Sequence, residues 1–256
     1  MSAAALCERE RPPDAIVLPD RACHLWSARV KDVLDHPREL GEVLSPDEEC
    51  RAARYRFSRP RARFVAARSM LRCVLSEYLG VDASQLRFDR DEGGKPSLAM
   101  QQGRGLCFNL AHSGELVLLG LAWRRAVGVD VEQVRSLSMT ASVPRQFFSE
   151  GERSVLATCD PSVRPTAFLS LWTCKEAYGK ARGVGLRPPI LTLDDVLTTE
   201  GGAVTMPDRW SYRDSDGIWH IQRPFVAQGY LAAVVVAGGP SDARVAPEIE
   251  HFTFAP

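Results

Sequence analysis

Neither sign of charge is in excess: Lys plus Arg and Asp plus Glu both number 32, for a formal net charge of +0. A chain without a global field is not drawn as a whole to nucleic acid or to an anionic membrane, so any anion it binds is held by a local group of cations. Long apolar runs are missing too. No stretch approaches the roughly 18 uncharged apolar residues of a membrane-spanning helix. The opening MSAAALCERERPPD has no basic start followed by an apolar run, so an export signal is not expected. The seven cysteines form no pattern: they are odd in number, scattered singly and without CxxC spacing. That argues against a disulfide framework and a zinc site, and for the reduced thiols of a cytoplasmic protein.

What is present is a chain of 256 residues with 45% hydrophobic content, enough for one large core or two smaller ones. Residues 1–14 and 241–256 are polar and rich in proline, and are expected to be loosely held. Between them HLWSARV (24–30) reads as a strand. SPDEECRAARYRF (45–57) reads as a helix capped by Ser45 with Pro46 in its first turn. Apolar residues from Phe64 to Tyr78 recur at helical spacing and Gly80 ends the run, which predicts one helix from Pro60 to Leu79 with a basic N-terminal half.

Strands are predicted at LRFD (86–89), GLCFNL (105–110), ELVLLGLAW (115–123), AVGVDVE (126–132), IWHIQRPF (218–225) and YLAAVVVAG (230–238). The last is too apolar for a sheet edge. Helices are predicted over FFSEGERSVLATC and RPTAFLSLWTCKEAYGKARG. The order of elements gives an α+β fold of two similar subdomains, 15–124 and 125–240.

Several groups could carry chemistry. Side chains alternate across a strand, so in Val127 to Glu132 the three valines share one face and Asp130 and Glu132 the other. Neighbouring carboxylates repel unless a cation lies between them, and Mg²⁺ prefers such oxygen ligands together with phosphates. A solvated strand end is the alternative. In LWTCKEAYGKARG, Trp172, Glu176 and Lys180 fall on one helical stripe with Lys175 beside it. This is either a surface Glu–Lys pair or a third carboxylate with two phosphate-neutralising lysines. His112 and Ser113 in FNLAHSGE fall in a predicted turn, and Lys95 follows the Gly-Gly of GGKPSL. Eight arginines crowd residues 51–72, among them Arg51, Arg63 and Arg68, without a nucleic-acid motif, so capture of a phosphate is the preferred reading.

FNLAHSG, GVDVE, FFSEGE (147–152) and LWTCKEAYGKARGVGL, in this order and spacing, resemble the 4′-phosphopantetheinyl transferase superfamily, in its long, surfactin-synthetase-activating type. The resemblance spans about Ser45 to Gly238. It implies a pseudo-twofold monomer whose two α+β lobes enclose coenzyme A. It also implies transfer of the 4′-phosphopantetheine arm to a serine of an apo acyl or peptidyl carrier protein, with release of adenosine 3′,5′-bisphosphate. Carried over residue by residue, it makes Asp130, Glu132 and Glu176 ligands of Mg²⁺, with Mn²⁺ as the alternative ion. It makes Glu176 and Lys180 catalytic. Arg51, Arg63, Arg68, Lys95, His112, Ser113, Asp130, Lys175 and Lys180 become contacts to coenzyme A. Ala111 stands where the family usually has a serine, and Glu48 where some relatives are basic. A silent coenzyme A-binding module and a metal-dependent phosphohydrolase are the rival readings. No nucleic acid or membrane partner is expected.

Overall fold

The computed structural model describes residues 16–35, 43–90, 95–134, 145–187, 191–200, 203–239 and 244–254. The chain is mixed α+β and divides into two compact units. Unit 1 runs to Ala126 and takes in the segment from Pro247, and unit 2 is Val127–Ala246.

Unit 1 contains β1 (Ala22–Arg29), α1 (Val30–Leu34), α2 (Pro46–Ala53), α3 (Ser58–Leu79), β2 (Phe88–Arg90), β3 (Pro96–Leu98), α4 (Met100–Gly103), β4 (Leu106–Ser113) and β5 (Leu116–Trp123). A last strand, β12 (Glu248–Thr253), joins it from beyond unit 2. The main sheet has the order β12-β1-β5-β4, with β12 parallel to β1 and the other pairs antiparallel. The expected loose tail is thus corrected over Glu248–Thr253. Phe252 stacks on Trp26 with ring centroids 4.9 Å apart, and Phe254 is buried, so apolar burial anchors the segment.

The helix α3 starts at Ser58, two residues ahead of the expected Pro60, and ends on Gly80 at φ 63, the left-handed conformation that glycine adopts without strain. From Ala66 onward most of its residues are buried, and Met70, Leu71, Val74 and Leu75 enter one core with Phe108, Val117, Leu119 and Leu121 of the sheet. A polar knot holds α2 to it. Ser45 and Glu48 form a reciprocal cap: the Glu48 N–H donates to Ser45 Oγ and the Ser45 N–H donates to Glu48 Oε2 at 3.0 Å. The same carboxylate receives Arg68, and Arg72 at 2.6 Å. Arg72 also donates to the carbonyls of Ala83 at 2.7 Å and Leu86 at 3.1 Å.

Unit 2 contains β6 (Val127–Gln133), α5 (Glu150–Thr158), α6 (Arg164–Arg182), β7 (Thr198–Glu200), β8 (Ala203–Thr205), β9 (Arg209–Asp214), β10 (Gly217–Gln222) and β11 (Tyr230–Ala237). Its sheet is antiparallel in the order β6-β11-β10-β9, which puts apolar β11 inside, as its composition predicts. Helix α6 packs on β6 and β11. The approach to β6 is as close as backbone allows: a Cβ on Gly128 would lie 2.0 Å from the Ala177 carbonyl oxygen and 2.4 Å from the Ala181 nitrogen. Among the described residues no helix is long and apolar enough to cross a membrane.

Two outcomes follow from this packing. Gly128→Ala forces α6 off β6 and costs at least about 3 kcal/mol, the upper range of overpacking, read as a lowered denaturant midpoint. Glu48→Ala leaves two buried guanidinium groups without their carboxylate and costs about 3–5 kcal/mol. The knot also has a pH signature. Burial alone would raise the Glu48 pKa, but Arg68, the cap and Arg72 together bring it below its ordinary value. Its contribution is therefore complete above the unfolded-state pKa of about 4.3 and is lost as pH falls through the folded value. The stability gap between the parent and Glu48→Gln should close in acid titrations below that range.

Candidate active site

Gly128, Asp130 and Glu132 alternate onto one face of β6, and α6 lies on that face because Gly128 has no side chain to hold it away. Asp130 is buried and Glu132, nearer the strand end, is half-buried. From α6, Lys180 Nζ donates to Asp130 Oδ1 at 2.5 Å. The other oxygen, Asp130 Oδ2, is buried with no hydrogen-bond partner among the described residues. A buried carboxylate oxygen without a protein partner is costly and is available to accept a proton or a cation.

The electrostatics tie the remaining carboxylates to the same place. Burial pushes the Asp130 pKa up to about 7, against the pull of Lys180, with further upward contributions from Glu132 and Glu176. Burial also raises Glu176, opposed by Lys180 and reinforced by Glu132. Asp130, Glu132, Glu176 and Lys180 therefore form one electrostatic group, drawn from a strand and a helix some 45 residues apart in the chain. Among the described residues no three His, Cys, Asp or Glu side chains are gathered closely enough to hold a metal ion as they stand. The donor set nevertheless suits a hard cation: three carboxylates, one with an orphaned buried oxygen.

Two expected phosphate contacts have carboxylate partners within the chain. Lys175 is not directed to an open site: only 1% of its side chain is exposed, and its Nζ pairs with Glu152 at 2.7 Å and donates to the Leu191 carbonyl. Arg68 is likewise taken up by Glu48 inside unit 1. The reason is common to both. A long cationic side chain on a mostly buried helix face reaches an internal carboxylate before it reaches solvent. Trp172 joins Phe147, Phe148 and Phe168 in an aromatic cluster.

In unit 1 a cavity of about 570 Å³ is lined by Asp47, Glu48, Cys50, Arg51, Arg54, Phe64 and Arg68. The Arg51 guanidinium lies over the Phe64 ring at 5.2 Å from its centroid. Arg63 is half-buried outside this lining. Arg54 and Phe64 were legible only as parts of a basic helix and an apolar stripe, with nothing in the sequence to mark them as cavity walls. His112 stands exposed on the last turn-ward residues of β4, so the expected turn begins after Ser113. Lys95 is half-buried just before β3, close enough to the Cys107 thiol of β4 to oppose the rise that burial imposes on it. The Gly-Gly that precedes Lys95 lies outside the described residues.

Glu152 is the residue that site reasoning missed. Its signal was present as the S-x-x-E spacing of Ser149 and Glu152, which predicts a helix cap but not the buried cation that the same carboxylate receives.

Comparison with known proteins bears on the whole chain. A family model described as the 4′-phosphopantetheinyl transferase superfamily matches residues 126–235. A second, described as 4′-phosphopantetheinyl transferase, N-terminal, matches residues 31–122. The chain is similar to the 4′-phosphopantetheinyl transferase HetI of Nostoc sp., at 38% identity over 78% of this chain and 85% of that protein. It is similar to a phosphopantetheinyl transferase of Thraustochytrium sp. at 28% identity over 90% of this chain and 84% of the relative. The 4′-phosphopantetheinyl transferase Sfp of Bacillus subtilis is 28% identical over 76% of this chain and 82% of its own. A 38% identity that spans most of both chains, joined to family matches on either side of Val127, establishes that this chain belongs to the 4′-phosphopantetheinyl transferase superfamily, in its Sfp-like type.

Proposed function

We propose that the protein transfers the 4′-phosphopantetheine group of coenzyme A to a serine hydroxyl of an apo acyl or peptidyl carrier protein, in a Mg²⁺-dependent reaction that releases adenosine 3′,5′-bisphosphate. The observation that carries this reading is the buried Asp130, with one oxygen on Lys180 and the other without a partner, beside Glu132 and Glu176. Asp130, Glu132 and Glu176 would hold the ion, with Mn²⁺ as an alternative. When bound, it supplies charge neutralisation and polarisation of the phosphoryl oxygens.

The residues themselves do the rest. Glu176 accepts the serine proton, directly or through a water. The serine oxygen forms its bond to the β-phosphorus of coenzyme A as the bond from that phosphorus to the bridging oxygen breaks. The electron pair leaves with the bisphosphate. Lys180, four residues along the helix from Glu176, offsets the charge that develops on the leaving group.

In unit 1 the nucleotide end of coenzyme A is assigned to Arg51 and Arg63, with Lys95, His112 and Ser113 as further contacts. Arg54 and Phe64 join Arg51 as walls of the cavity there. Arg68 and Lys175 are left out because Glu48 and Glu152 already hold them. The protein is proposed to act as a monomer. The six described cysteines are free thiols, which suits a reducing, cytoplasmic setting.

Incubation with coenzyme A, Mg²⁺ and an apo carrier, followed by intact mass of the carrier, tests the reaction. A gain of one phosphopantetheine is expected. Bound coenzyme A without gain supports a silent module, and cleavage of coenzyme A without gain supports a phosphohydrolase. Glu176→Gln should lower kcat by on the order of 10²–10⁴-fold with an unchanged thermal midpoint, and normal turnover by this variant would refute both of its roles. Asp130→Asn should abolish Mn²⁺ binding followed by electron paramagnetic resonance, a readout that does not need turnover.

A further inference from the structure

The contact between α6 and β6 is made by the smallest side chains in the region. The backbones of Ala177 and Ala181 face Gly128, where the strand offers no side chain for the helix to lock onto, and the Lys180–Asp130 bond lies at the end of a long, flexible side chain. Such a surface allows close approach but does not by itself fix how far the helix is turned about its axis. Successive helical residues point about 100° apart, so a modest rotation of α6 would carry Glu176 and Lys180 away from Asp130 and Glu132. A more rigid attachment near Glu176 would set that rotation more closely.

The buried ion pair one residue before Glu176 has the required geometry. Lys175 and Glu152 have side chains 1% and 0% exposed and meet at 2.7 Å. Lys175 Nζ also donates to the Leu191 carbonyl and lies 5.6 Å from the centroid of the Phe148 ring. Glu152 Oε1 accepts the Leu193 N–H at 2.9 Å, and its Oε2 accepts the Ser149 N–H at 2.8 Å. Ser149 Oγ accepts the Glu152 N–H at 3.0 Å and donates to Asp194 Oδ1 at 2.6 Å. A Cβ on Gly151 would lie 2.4 Å from that Asp194 oxygen, so the glycine admits it. Three chain segments, the start of α5, the middle of α6 and residues 191–194, are joined through two charges.

Neither charged group is among the buried polar atoms that lack a partner. A fully satisfied buried pair adds little stability over an apolar isostere, but any slip that parts it is heavily penalised, so such a pair fixes one arrangement among several. Further along the same helix Tyr178 donates to Asp214 and Arg182 donates to Asp216 at 2.7 Å, holding α6 to the turn between β9 and β10. Glu176 therefore lies between two polar attachments, one of them on its immediate neighbour.

We propose that Glu152 and Lys175 are a positioning pair for Glu176 and Lys180: without touching coenzyme A, they set the rotation of α6 that turns the catalytic side chains toward Asp130. This rests on the transferase reading above.

The test compares Glu152→Gln, Lys175→Met, the double variant and Lys175→Arg, each first shown to be folded by circular dichroism. The double variant guards against misfolding of Lys175→Met, which strands a buried carboxylate. With the parent's transfer to an apo carrier as reference, Glu152→Gln and the double variant should lose about tenfold to a hundredfold in kcat while the KM for coenzyme A stays within twofold of the parent. The two substitutions should not add, and Lys175→Arg should recover part of the loss. The carboxyl ¹³C resonances of Asp130 and Glu176 should move in the double variant, a readout that holds even if the parent transfers nothing and the functional reading fails. The proposal is overturned if Lys175 variants raise the KM for coenzyme A while Glu152→Gln changes nothing, which makes Lys175 a direct phosphate contact. It is overturned equally if the double variant keeps the parent's kcat or leaves both resonances in place.

Discussion

The candidate site depends on one close approach, that of the α6 backbone to the β6 backbone at Gly128. A Cβ at Gly128 would collide with the α6 backbone, so the helix that carries Glu176 and Lys180 lies this close to the strand that carries Asp130 only with a glycine at that position. Gly128 and Ala177 supply that separation by having almost nothing to put in it. The glycine of GVDVE is thus as much a part of the site as the acids that follow it. Its contribution is distance, whereas theirs is charge.

Both units tie a long helix to a shorter one in the same way. In unit 1 Ser45 and Glu48 cap α2, and the Glu48 carboxylate receives Arg68 and Arg72 from α3. In unit 2 Ser149 and Glu152 cap α5, and the Glu152 carboxylate receives Lys175 from α6. A capping glutamate has one oxygen engaged by the backbone and one to spare, so it is a ready acceptor for a cation arriving from the next helix. The zero net charge itself follows from equal numbers of acidic and basic residues in the protein. Part of its arginine and lysine content is internal structure, and does not contribute to an outward field.

Much of the fold was legible. Strand alternation in Val127 to Glu132, the capping residue Ser45 and the Gly80 stop each act over a few residues, and the ends they mark are found within a residue or two, although the helix read over 45–57 stops at Ala53. Alternation along the strand paired Asp130 with Glu132 and helical spacing paired Glu176 with Lys180, whereas the meeting of the two pairs was implied only by the family resemblance and depends on the packing of α6 on β6. What escaped was decided by distant partners. A free lysine and a lysine committed to a buried glutamate look alike in sequence, so nothing in it shows that Lys175 pairs with Glu152 or Arg68 with Glu48. The apolar residues of HFTF at 251–254 were hidden in a polar surrounding, and only the presence of Trp26 and the open side of β1 makes them a strand.

That last strand sets an order on assembly. During synthesis from the N-terminus, β1 is made early, yet the neighbour that covers its outer edge is β12, which follows all of unit 2. Unit 2 has every one of its own strands available before β12 emerges, whereas the sheet of unit 1 must wait with the backbone of β1 unpaired on one side. The first unit to begin is therefore the last to be completed, and the newly made chain passes through a stage in which the edge of β1 is open to mispairing.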